Sequence, residues 1–138
     1  FTIEPYASIE REKGARTLMS SFDILGGPAT TSVVWATTRF YTENPKVYAA
    51  FVKGMEEAFD MIKRDVKAAA DYYIKVTKTK ESPDSISRML NDPLIKWGIA
   101  PSNVMKQVDF MQRTGAIKDK PDSWKDIFFP NVHALPGS

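Results

Sequence analysis

The sequence predicts an α/β chain, mostly helical, with a few strands from an incomplete sheet. Three observations carry that expectation. Residues 31–40, TSVVWATTRF, are dominated by β-branched residues, with Val33, Val34 and Trp35 in one apolar run; this is the pattern of a strand covered on both faces. From Asn44 onward apolar residues recur every three or four positions, which is the period of a helix. A lone strand also leaves its backbone N–H and C=O groups unpaired on both edges, so its partners are expected in the front pieces of the chain or upstream of Phe1.

Taken in order, FTIEPYASI reads as the end of a short strand entering a turn, since proline cannot donate within a central ladder. The stretch ARTLMSS reads as a second short strand, passing into the loop of Gly26, Gly27 and Pro28. Asn44 and Pro45 then open a helix of about five turns, with Val47, Phe51, Met55, Phe59 and Ile62 on one face. Asp65 caps a second helix, with Val66, Ala69, Ala70, Tyr73 and Val76 on its apolar side. Ser82 and Pro83 open a third, of about two turns. The proline-bounded PLIKWGIAP is an extended connection or a brief strand; periodicity does not decide between them. Ser102 caps a helix bearing Val104, Val108 and Met111, which Gly115 closes. Ser123 opens a last short element, and PNVHALPGS is an extended tail. The methionines and the Tyr72, Tyr73 pair sit at helical spacing and are expected in the core.

Composition narrows the functional classes. Hydrophobic residues at 43% and charged residues at 26% are globular values and argue against disorder. The 19 basic and 17 acidic residues are interleaved and form no basic stripe, so nucleic acid is not an expected partner. No apolar stretch approaches the roughly 20 residues that span a bilayer. The absence of cysteine removes disulfides, thiolate metal sites and thiol nucleophiles together. The chain starts at Phe1 without an initiator methionine and without the basic start or apolar middle of a secretory signal, which leads us to expect a processed chain or a piece of a longer one.

Few residues promise chemistry. His133, the one histidine, lies in the tail with nothing nearby in sequence to complete a triad or metal site. Glu56 and Glu57 are adjacent on a helix, point about 100° apart and suit a solvated face; Lys63, Arg64 and Lys67 have acidic neighbours and suit a mixed surface. No catalytic residue, metal ligand or cofactor is expected. The GGPATT stretch offers Thr30, Thr31 and Ser32 hydroxyls to a small polar or anionic ligand. It lacks the spacings of nucleotide loops and reads equally well as an ordinary turn. Glu4 and Tyr6 place a carboxylate and a phenol at an expected strand end, where α/β folds gather ligand contacts; the alternative is a capped turn with Tyr6 half-buried.

Taken together, EPYASIE, SSFDILGGPATTSVVWATTRF, ENPKVYAAFVKGMEEAFDMIKRD and DFMQRTGAIKDKPDSWKDIFFPNVHALPGS, in that order, resemble the C-terminal part of ABC-importer solute-binding proteins. The similarity is to the sulfonate, nitrate and taurine group, which also includes proteins that bind thiamine-pyrimidine precursors. It covers essentially the whole chain, and its most specific elements are Phe40 to Pro45 and the terminal SWKDIFFP. The resemblance implies the C-terminal portion of a type II periplasmic-binding-protein fold: residues 1–21 end the second lobe, 22–32 form the hinge or crossover, and 33–138 return into the first lobe. It implies ligand contacts from Glu4 and Tyr6, and from Thr30 and Thr31. It also implies capture of a small-molecule solute between lobes, delivery to an ABC permease in the membrane, and a periplasmic or extracytoplasmic location with a signal upstream. Glu4 facing the cleft would repel an anion, which favours a neutral or cationic solute. Two other readings compete. A thiamine-pyrimidine synthase of the same fold would use a cysteine-rich motif that this chain lacks. A helical interaction module would dock a partner on a Met- and aromatic-rich face. A surface left open by a missing sheet would further imply self-association.

Overall fold

The computed structural model describes residues 2–4 and 6–138. Seven α-helices follow one another: α1 Tyr6–Glu12, α2 Ser21–Leu25, α3 Thr38–Glu43, α4 Pro45–Arg64, α5 Val66–Thr77, α6 Pro83–Leu90 and α7 Val104–Arg113, before 3-10 turns at Trp124–Asp126 and Pro130–Val132. There is no strand among the described residues, so the α/β class expected from sequence is corrected to all-α. The first expected front strand gives way to helix α1 and the second, residues 15–21, is irregular up to α2 at Ser21, and this removes the partners that residues 31–36 would need for a sheet. That segment runs from Pro28 to Thr37 without turn, bend or ladder. Val33, Val34 and Trp35 are 60%, 71% and 82% exposed, the reverse of a strand covered on both faces.

The body forms where local signals are strongest. Pro45 opens α4, but the Asn44 side chain closes α3 by donating to the Phe40 carbonyl at 3.2 Å and makes no cap on α4. Asp65 accepts from the Ala68 N–H at 2.9 Å and caps α5. Ser82 accepts from the Ser85 N–H at 3.2 Å and caps α6 behind Pro83. Each such cap contributes roughly 1 kcal/mol.

Helices α5 and α6 pack on each other, and α4 packs on α5. The small Ala69 and Ala70 let α6 approach, and Ile86 and Leu90 complete the core. Met61 and Ile62 from the end of α4, Val66, Ile74, Met89 and Trp97 pack around it. The Trp97 indole N–H donates to the Leu90 carbonyl at 2.8 Å, satisfying one orphan carbonyl at the end of α6. PLIKWGIAP therefore returns over the core as an irregular connection, with no strand.

Beyond this core the apolar faces are only partly covered. Val47 and Phe51, on the same stripe of α4, are exposed, as are Tyr72, Tyr73 and Val76 of α5. This corrects the expectation that the tyrosine pair is core. The tail crosses the α3–α4 corner: Phe129 stacks on Tyr41 with ring centroids 4.2 Å apart, and the Tyr48 hydroxyl donates to Asn131 at 2.6 Å. Trp124 is buried, with the Phe128 and His133 rings set edge-on to it.

The α7 N-terminus starts one residue later than the sequence implies. Asn103, in the left-handed region at φ 50°, is the residue ahead of the helix and makes no side-chain cap. The Val104 N–H is taken by the Ser138 carbonyl at 2.8 Å. Ser102 pairs instead with Thr30.

Candidate functional site

A cleft of about 600 Å³ lies between α1 and α6. Ser8, Arg11 and Glu12 line it from one side, and Ser85, Arg88 and Asn91 from the other. Helical spacing makes the α1 wall: Ser8 and Arg11 stand four and seven positions after Glu4, on one face. Glu4 Oε2 accepts from the Ser8 backbone N–H at 3.1 Å and from its hydroxyl at 2.7 Å. Arg11 Nη2 donates to Glu4 Oε1 at 2.7 Å and to Ser8 Oγ at 2.9 Å. Burial pushes the Glu4 carboxyl up, but the hydrogen bonds from Ser8 and Arg11 and the charge of Arg11 outweigh it and hold the group below its ordinary value. Across the cleft Arg88 Nη2 donates to Glu12 Oε1 at 3.2 Å.

The lining cations Arg11 and Arg88 are balanced by Glu12 and Asp92. Hydroxyl, amide and guanidinium groups at such a place can hydrogen-bond a small polar molecule of no net charge. Among the described residues no three His, Asp or Glu side chains are grouped to hold a metal ion.

The residues singled out from sequence are not brought together. Glu4 stands at the start of α1 beside the cleft, while Tyr6 in the first turn is 64% exposed; neither lies at a strand end. Thr30 is held elsewhere. Its N–H donates to the Ser102 carbonyl, its hydroxyl accepts from the Ser102 N–H, and its carbonyl accepts from the Gln107 side chain. Thr31 is exposed. The two glycines are conformational: Gly26 closes α2 at φ 70° and Gly27 follows at φ 133°, angles at which a side chain is strained. His133 Nε2 donates to the Phe128 carbonyl, 2.8 Å away, as a packed tail residue.

Sequence reading missed Ser8, Arg11, Ser85, Arg88 and Asn91. The spacing of Glu4, Ser8 and Arg11 would have shown a shared face had residues 6–12 been read as helix. The α6 side is non-local and carried no signal. A second hollow of about 500 Å³ lies against Tyr41, Tyr48, Val52 and Glu56; there burial, then the neighbouring Tyr41, pushes the Tyr48 hydroxyl up against the opposing hydrogen bond to Asn131.

No family model, no curated protein and no solved structure matches the chain.

Proposed function

We propose that this chain belongs to the solute-capturing component of an ABC importer, binding a small molecule non-covalently and presenting it to a membrane permease. One observation carries the reading. Glu4, the residue on which the resemblance to solute-binding proteins places a ligand contact, is hydrogen-bonded to Ser8 and Arg11, and both line the polar cleft. The balance of charge around that cleft favours a solute with no net charge, in keeping with the carboxylate of Glu4 at its edge. Capture needs only such a polar cleft and a population shift on binding.

Uptake tests this. In cells whose gene for this protein is disrupted, import of radiolabelled taurine, a longer alkanesulfonate, nitrate and a thiamine-pyrimidine precursor is compared with the parent. The expected outcome is loss of import of one net-neutral solute, restored by the wild-type gene. Glu4→Gln, which keeps an acceptor for Ser8 but loses the charge, is expected to weaken import by about tenfold at limiting solute, the equivalent of one charge-assisted contact. Unchanged import of every solute would overturn the proposal. Restoration by Glu4→Gln equal to wild type would remove Glu4 from the site.

A further inference from the structure

Three donors at the start of α7 hold three carbonyls at the end of α2 and in the loop that follows it. The Lys106 ammonium donates to the Leu25 carbonyl, the Asn103 amide to the Pro28 carbonyl at 2.8 Å, and the Gln107 amide to the Thr30 carbonyl at 2.8 Å. Lys106 and Gln107 are neighbours in the first turn of α7, and Asn103 immediately precedes it. Thr30 and Ser102 add a reciprocal pair, each at 2.9 Å. The positive-φ Gly26 and Gly27 stand inside this contact, between the held Leu25 and Pro28 carbonyls. After it, residues 31–36 make no backbone hydrogen bond among the described residues. Apart from this loop, the hydrogen bonds from the described residues before Thr30 to the helical body reduce to Arg88 with Glu12, an exposed pair of the kind worth about 0–1 kcal/mol.

We propose that Lys106 is a latch: Asn103 and Gln107 anchor the loop after the glycines, Lys106 holds the Leu25 carbonyl before them, and with that one bond released the α1–α2 segment swings about Gly26 and Gly27. This rests on the solute-capture reading only for its use, because α1 is one wall of the cleft and its swing would open or close that wall. The geometry itself is independent of any solute.

The chain contains no cysteine, so two spin labels can be placed cleanly, at Ser21→Cys on α2 and Arg113→Cys on α7. Double electron–electron resonance without solute is expected to give one narrow distance distribution. Lys106→Met, at an exposed position, is expected to broaden it or split it in two, with far-UV circular dichroism unchanged. Should that variant unfold, Lys106→Ala is the variant read, with broadening again expected. A distribution as narrow as wild type in the folded variant overturns the latch. A failed uptake assay beside a broadened distribution would reject solute capture and leave the latch standing.

Discussion

Glu4 organises the first turn of the chain through a single carboxylate that receives the Ser8 N–H, the Ser8 hydroxyl and the Arg11 guanidinium. Those donors favour the ionised form, so the folded chain takes up the Glu4 proton less readily than the unfolded chain does. The sign is therefore fixed. The contribution to stability is complete above the ordinary value of 4.5 and is lost as pH falls through the lower folded value. Amide exchange at Ser8, corrected for its intrinsic rate, is expected to accelerate as pH falls below 4.5, and Glu4→Gln is expected to remove that acceleration. A corrected rate that stays flat between about pH 5 and about pH 3 would show that Glu4 does not hold α1. Asp23 makes a similar local device at α2: its carboxylate accepts the Ser20 hydroxyl and N–H, which hold it below the usual aspartate value.

At the scale of elements, stability is concentrated where α5 meets α6. Ile86 is 1% exposed and shares the buried cluster with Ala69, Ala70 and Leu90. Ile86→Ala is expected to cost about 2–5 kcal/mol in urea denaturation, whereas Val47→Ala on the open stripe of α4 is expected to cost less than about 1 kcal/mol. Equal losses at the two positions would contradict this placement of the core. The same elements show what was legible in the sequence. Helices α5 and α6 begin at Val66 and Pro83 as capping by Asp65 and Ser82 implies, because capping is decided within one turn of chain, while α4 begins at its Pro45 with the Asn44 side chain turned back to α3. The front was misread for a physical reason. A proline ahead of a polar, charged stretch suits a helix opening as well as a strand end, and β-branched residues such as Val33 and Val34 become a strand only if a neighbour pairs with them. Tyr72 and Tyr73 failed similarly: spacing identifies a helix face but not whether anything covers it. The cleft was half legible, through Glu4, while its α6 wall depends on tertiary packing.

For the whole molecule the decisive quantity is surface. The chain exposes 10568 Å², whereas a folded monomer of this mass exposes about 7,200 Å². The surplus, about 3,000 Å², is the size of an obligate interface. Part of it is apolar and falls within residues 18–35, with Leu18, Met19, Ile24, Val33, Val34 and Trp35 each at least 60% exposed. Small proteins rarely leave that much apolar surface open to water unless it meets other polypeptide. Solute capture between two lobes would supply such a covering, and so would a second copy of the chain. Sedimentation velocity of the 138-residue chain over a range of concentrations measures whether this surface is unfinished. The expected result is a concentration-dependent dimer or larger species that shifts toward monomer in Val34→Lys with Trp35→Lys. A compact 15.5 kDa monomer at every concentration would contradict it.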